Sequence, residues 1–203
     1  MLMNEASVLK DQDVFIKSLR QETAESHQKL EENRLSKAIL EPTVTLSDYQ
    51  AYLSRLYGVI VSCENQVFPV LNHIFPDLDE RYKSRFILSD LKATGFSDTQ
   101  IDSLPVHTFG FLSVPEALGV MYVMEGSTLG GRILYKHIHE ILGLNEENGA
   151  RFFWGYGAQT GFLWKSFISV FAQFATESDT SPEIIGSAKE TFTLIDNWLT
   201  GRI

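Results

Sequence analysis

Cysteine is nearly absent from this 203-residue chain. Cys63 stands alone, which excludes an intramolecular disulfide and any zinc site built on several thiolates. Such usage fits a reducing compartment. Positive charge is also scarce, with 17 Lys+Arg against 26 Asp+Glu and a net charge of −9. Nucleic acid and anionic lipid both call for clustered positive charge, so binding to either is not expected. Long apolar runs are missing as well. The longest stretches without a charged residue, Ser103–Pro115 and Phe152–Trp164, are 13 residues each and are broken by Gly or Pro. A membrane span takes roughly 20 apolar residues. The start, Met1 to Lys10, carries Glu5 and has neither the basic opening nor the apolar core of a secretory signal. The expectation is a cytoplasmic protein that meets no membrane. No run alternates with period two over strand length, and no hairpin dipeptide separates two apolar runs, so sheet content should be near zero. Repeats, linkers and low-complexity tracts are absent too.

The residues that are present, 44% hydrophobic and 21% charged, make up one ordinary globular domain. A chain of this length buries roughly 70% of its unfolded surface, enough to stand without disulfides or structural metals. Residues 1–12 read as a flexible N-terminal extension and residues 13–203 as a multi-helical domain. A first helix opens at Asp11 or Asp13 and runs to about Leu40, with Leu19, Thr23, His27 and Leu30 along one side. A second starts at Ser47-Asp48-Tyr49-Gln50 and is expected to stop at Pro69. Asp79 to about Lys92 reads as a shorter helix, with one or two further turns between Ser97 and Leu104. Ser113-Val114-Pro115-Glu116 is a capping box that opens a long helix ending at Gly143. Residues 143–157 read as a loop, Ala158–Ala175 as an apolar, aromatic helix, and Ser181-Pro182-Glu183 as the start of a last helix ending at Gly201. The fold class is therefore all-α, a single-domain bundle whose ligand sites form between facing helices.

Two groups of residues could carry chemistry. His27 offers an imidazole nitrogen, a good iron ligand. Arg20 lies seven residues upstream, about 20° short of two full turns and roughly 10.5 Å along the axis. The pair shares a helix face at a spacing like that from a porphyrin centre to its propionate edge. A packed or surface histidine is the competing reading. The second group is Gly119, Gly126, Gly130 and Gly131, inside the helix that opens at Ser113. Each interior glycine costs about 0.5–1 kcal/mol relative to alanine, so four of them imply a use for bare backbone. That use is either close approach of a flat ligand or tight packing of another helix. Ser127-Thr128-Leu129-Gly130-Gly131 is no phosphate loop, since it lacks the Gly-Lys-Ser/Thr ending.

The stretch Leu19-Arg20-Gln21-Glu22-Thr23-Ala24-Glu25-Ser26-His27-Gln28-Lys29-Leu30-Glu31 resembles the proximal helix of heme oxygenases. Tyr122-Val123-Met124-Glu125-Gly126-Ser127-Thr128-Leu129-Gly130-Gly131 resembles their distal helix. The similarity extends from about Leu19 to Leu199 and is closest to the bacterial branch found with bacteriophytochromes. It implies a heme-oxygenase-like bundle with heme b, both substrate and cofactor, sandwiched between two helices. His27 would be the axial iron ligand and Arg20 a propionate partner, with Tyr122 and Lys165 as further propionate contacts. Gly126, Gly130 and Gly131 would form a kinked distal wall that leaves room for oxygen. The implied reaction opens heme to biliverdin, releasing carbon monoxide and ferrous iron, with electrons from a ferredoxin or flavin reductase. A bacteriophytochrome could accept the biliverdin. Where mammalian members carry an aspartate, this chain has Ser127, whose hydroxyl can hold water but brings no charge.

Glu125 precedes Gly126 and points about 100° away, as a solvated or helix-pairing carboxylate would. His137 and His139, two apart, cannot chelate one metal together and read as caps near a helix C-terminus. His73 and His107 have no partner pattern. No glutamate has a histidine three residues on, which sets a di-iron bundle aside. Phe162, Trp164 and Phe167 read as core. Two other functions remain open: a heme carrier of the same fold without turnover, and a thiaminase-like hydrolase with Cys63 as nucleophile.

Overall fold

The computed structural model describes residues 5–202, with side chains from residue 8 onward. Among the described residues ten α-helices follow one another: α1 (Glu5–Glu31), α2 (Arg34–Ala38), α3 (Leu46–Ser62), α4 (Phe68–Leu71), α5 (Ser84–Ala93), α6 (Asp98–Asp102), α7 (Val114–Leu142), α8 (Arg151–Trp154), α9 (Thr160–Glu177) and α10 (Ser181–Thr200). No strand occurs among the described residues. The all-α expectation holds, and no described helix is long and apolar enough to cross a membrane.

Helix ends set by neighbouring residues lie where local chemistry puts them. Ser113 and Glu116 form the expected capping box at the start of α7, and Gly143 and Gly201 close α7 and α10 in the left-handed conformation. Several other boundaries differ. The first helix begins at Glu5, inside the segment expected as an extension, and ends at Glu31 instead of Leu40. The break comes at buried Asn33, whose side-chain oxygen accepts from Leu35 N–H at 3.0 Å while its amide donates to Asp196 of α10 at 2.6 Å. The box at the second helix uses Thr45 with Asp48, two residues earlier than expected. Pro69 does not stop that helix at once. A wide turn at Cys63–Val67, in which Phe68 N–H reaches back to the Cys63 carbonyl, carries the chain on to Leu71. The helix expected over Asp79–Lys92 is split into a tight turn at Leu78–Arg81 and α5. Its start is fixed from a distance, because buried Glu64 accepts the backbone N–H groups of Lys83 at 2.5 Å and Ser84 at 2.7 Å.

Helix α10 packs on α7 and on α1, and α9 also lies against both. The α7–α10 contact is close because Gly119 has no side chain. A Cβ there would stand 2.6 Å from Ser187 Cβ and 2.7 Å from the backbone at Ala188 and Ile184. The segment expected as a loop over 143–157 contains α8. Asp90 of α5 receives the first N–H groups of that helix, from Arg151 at 2.9 Å and Phe152 at 2.8 Å. Burial pushes the Asp90 carboxyl up to about 6, against the pull of those two donors.

Two outcomes follow. Gly119→Ala should destabilise the protein by about 1–3 kcal/mol through overpacking, despite alanine's better helix propensity, as read by urea unfolding. The Asp90 carboxyl ionises near 3.8 when unfolded and about 6 when folded. Between those values the unfolded chain holds fewer protons, so this group's contribution to stability falls as pH rises through the window and is level above it. Asp90→Asn should abolish that part of the slope, measured as the difference in urea midpoints between the two proteins across the same range.

Candidate functional site

Arg20, Thr23 and His27 occupy successive turns of α1. Thr23 is buried, and Arg20 and His27 are exposed. His27 rests one ring face against Phe192 of α10 at 5.1 Å. Its side chain is 54% exposed, and Nε2 lies 3.5 Å from a Glu31 carboxylate oxygen. No hydrogen bond among the described residues occupies its ring nitrogens, which leaves them able to ligate.

Helix α7 approaches this face at Tyr122, one turn before Gly126. The Tyr122 ring is stacked on Phe171 at 5.7 Å and lies 6.0 Å from Trp164. Burial raises its phenol above the ordinary value, while the Arg20 charge and the Thr23 hydroxyl nearby pull it down. Arg20 and Thr23 of α1 thus lie near Tyr122 of α7.

The four glycines of α7 separate into different uses. Gly119 serves the close packing on α10. Gly131 is buried, and a Cβ there would sit 3.5–3.9 Å from Phe153 of α8, ordinary packing contact. Gly126 is bordered only by the Trp164 ring, at 3.7 and 3.8 Å from a built Cβ, and at Gly130 a Cβ would meet nothing within 4 Å. The open part of the glycine face is therefore Gly126 and Gly130. Helix α7 is continuous through all four positions, without a break at the expected kink. The Ser127 hydroxyl donates to the Met124 carbonyl at 2.7 Å.

Other expectations fall differently. Lys165 is exposed on α9. Phe167 is core, but Phe162 is 68% exposed, so the core reading fails there because it sits on the outer side of α9. His137 and His139 bond the Glu41 and Leu144 carbonyls at 3.0 and 2.9 Å, both outside α7, so neither caps the carbonyls of its own helix as expected. His107 is packed between Phe109 and Trp198, and burial holds it below its ordinary value. Cys63 is buried, and its thiol is pushed up by burial, so the hydrolase alternative has no accessible nucleophile. Glu125 is not solvated. It is a buried helix-pairing carboxylate bonded to Arg81, Lys83 and Tyr156. The sequence carried no local sign of this, since Arg81 is 44 residues away.

A groove of about 680 Å³ opens on the other flank of α1, over Phe15, Ala175 and Ile185. Its rim holds Asp11, Glu22, Glu177 and Asp179 against Lys189. That charge is the reverse of what a dianionic ligand such as heme needs. Arg20 and His27, a cation and an imidazole, lie on the opposite side of α1 from this groove.

The fold is all-α, with an exposed imidazole on α1 and uncovered backbone on α7. The chain belongs to the heme oxygenase family, whose model matches residues 13–200. Among solved structures it is similar to the NO- and CO-bound heme oxygenase of Neisseria meningitidis, at 23% identity and a TM-score of 0.71, covering 92% of this chain and 90% of that one. A heme oxygenase of Leptospira interrogans aligns at 18% identity and a TM-score of 0.75, covering 92% and 98%. The heme complex of a Synechocystis heme oxygenase aligns at 20% and 0.67, covering 92% and 91%. A comparison with the curated proteins finds no match.

Gly130→Ala isolates the use of the open face. With nothing near the added methyl, the ligand-free protein should gain about 0.5–1 kcal/mol in urea unfolding, whereas a ligand seated on that backbone should bind more weakly.

Proposed function

We propose that this protein is a biliverdin-producing heme oxygenase, binding heme on the surface shared by α1 and α7. The observation that carries this reading is the half-exposed His27 imidazole, with no hydrogen bond on its ring nitrogens, on a helix whose Arg20 and Thr23 lie near Tyr122 of α7, one turn before the uncovered Gly126 and Gly130. In this reading His27 ligates the iron, and packing on Phe192 holds its ring in orientation. Arg20 and Tyr122 take one propionate side, with Lys165 as the further cation. Gly126 and Gly130 let the α7 backbone approach the porphyrin face and keep side chains out of the space that dioxygen must enter. When bound, heme supplies the oxidative chemistry, drawing on dioxygen and on electrons from an external ferredoxin or flavin reductase, and its ring opens to biliverdin with loss of carbon monoxide and ferrous iron.

The residues themselves bind, orient and exclude. Phe171 and Trp164 back Tyr122 and limit water on that side. Ser127 is a hydroxyl beside the open face able to anchor a water chain, because its oxygen keeps acceptor capacity while donating to Met124. That same bond favours the second reading, a heme carrier without turnover, since it turns the hydroxyl proton away from the face. A cytoplasmic role supplying biliverdin to a bacteriophytochrome is the physiological reading that the sequence resemblance supports.

Titration with hemin, followed by ascorbate in air, separates these possibilities. The enzyme should give a saturable Soret band that then bleaches as broad red absorbance grows; binding without bleaching marks a carrier. His27→Ala should shift the Soret band to that of heme lacking the imidazole, and an unchanged spectrum would refute the ligand assignment. Arg20→Ala should weaken binding by about tenfold, the worth of one hydrogen bond to a charged group.

A further inference from the structure

Behind the glycine face of α7 lies a buried polar cluster that none of the residues assigned to heme uses. Arg81 is fully buried, and Lys83, Glu64 and Glu125 are 4%, 4% and 2% exposed. The Arg81 guanidinium donates to Asp77 at 2.6 and 3.2 Å, to the Leu163 carbonyl at 3.2 Å and to Glu125. Lys83 Nζ donates to Glu125 Oε1 at 3.1 Å and to Thr128 Oγ1 at 2.7 Å, and the Tyr156 hydroxyl donates to Glu125 Oε1 at 2.8 Å. The void among Cys63, Glu64, Arg81, Lys83 and Glu125 is about 10 Å³, too small for any ligand beyond a single water. No metal-binding grouping of acidic, histidine and cysteine residues occurs among the described residues. The cluster is not a binding site, so its use must be mechanical.

Its place on α7 indicates that use. Glu125 and Thr128 form one face of the helix, and Gly126 and Gly130 form another, about 150° away at 100° per residue. On the open face Gly126 and Gly130 offer no side chains for packing, and among the described residues the Trp164 ring is the one neighbour there, beside Gly126. Glycine also leaves the backbone freer than any other residue would. Behind it, charge-assisted hydrogen bonds from Lys83 and Arg81 grip the same two turns, and such bonds are short and directional. A buried charge cannot slide away from its partners without a large penalty, so the grip fixes a position and does more than add stability.

We propose that the Arg81–Lys83–Glu125–Thr128–Tyr156 cluster is a positioning device that holds the α7 backbone at Gly126–Gly131 at a set height over the bound heme, an inference that rests on the function proposed above. These five are positioning residues, acting on the substrate only through the backbone they hold. The requirement is steep, because a misplacement of about 1 Å at a reacting centre can cost on the order of 100-fold in rate.

The experiment uses Thr128→Val, which keeps the methyl lying over Gly155 and removes the acceptor of Lys83, with Thr128→Ser as the conservative partner that keeps the hydroxyl. Tyr156→Phe removes one bond to Glu125 and leaves every charge in place. Amide hydrogen exchange in the ligand-free proteins and hemin affinity are the readouts. Thr128→Val and Tyr156→Phe should speed exchange at residues 126–131 by about tenfold, against less than about threefold for Ile184–Ala188 in the α10 core, and weaken hemin binding. Thr128→Ser should restore both. Uniform acceleration that merely tracks global stability, or unchanged exchange at 126–131, overturns the proposal. Failure of the wild-type chain to bind hemin would instead overturn the heme reading, and the exchange comparison would still decide whether the cluster grips α7.

Discussion

A fully buried guanidinium sets the terms for half of this molecule. Taking a charge out of water costs several kcal/mol even after relaxation, so Arg81 can stay buried only if acceptors converge on it from separate parts of the chain. Asp77 comes from the turn just before it, Glu125 from the middle of α7 and the Leu163 carbonyl from α9. The Phe167 ring lies 5.9 Å from the guanidinium carbon and adds an aromatic face. The tight turn at Leu78–Arg81 delivers the side chain inward, and the start of α5 just after it is capped by Glu64. Glu64 in turn lies in the wide turn that carries α3 past Pro69. One ion thus depends on a sequence of local irregularities, each of which would cost stability by itself.

Helix α7 is the other side of that arrangement. Gly119, Gly126 and Gly130 lie close to one line along it, since seven residues return within about 20° of the start. The line is used twice. At Gly119 it lies against the α10 backbone with no room for a methyl, and at Gly126 and Gly130 it emerges into open space beside Trp164. The same bare stripe therefore anchors the helix at one end and exposes its backbone at the other. Gly131, off this line, lets α8 approach through Phe153, and Asp90 holds the start of α8 in turn.

What could be read from the sequence was what neighbours decide. The Ser113–Glu116 box, the glycine ends of α7 and α10 and the Arg20–His27 spacing are properties of a single helix, and they hold in the structure. The breaks that were missed are set by distant partners. Asn33 ends the first helix because Asp196 is there to receive its amide, 163 residues away. Ser84 starts α5 because Glu64 is behind it. Glu125 shows the limit most clearly. Its angle from Gly126 was legible, its burial was not, because nothing near it in the chain announces Arg81 or Lys83. Phe162 errs the other way, since an aromatic residue in an apolar segment gives no local sign that it faces outward.

The division of labour on α7 also accounts for where the chain departs from the mammalian pattern. An aspartate after the first distal glycine would bring a second carboxylate next to Thr128 and next but one to Glu125, whose charge is already committed to Arg81 and Lys83. Serine there adds no charge to the helix, and its proton is satisfied within the turn by the Met124 carbonyl. Side-chain charge between Glu125 and Gly131 is therefore confined to the gripped face, and the open face presents the backbone of Gly126 and Gly130 beside the Ser127 hydroxyl and the exposed side chains of Leu129 and Ile133.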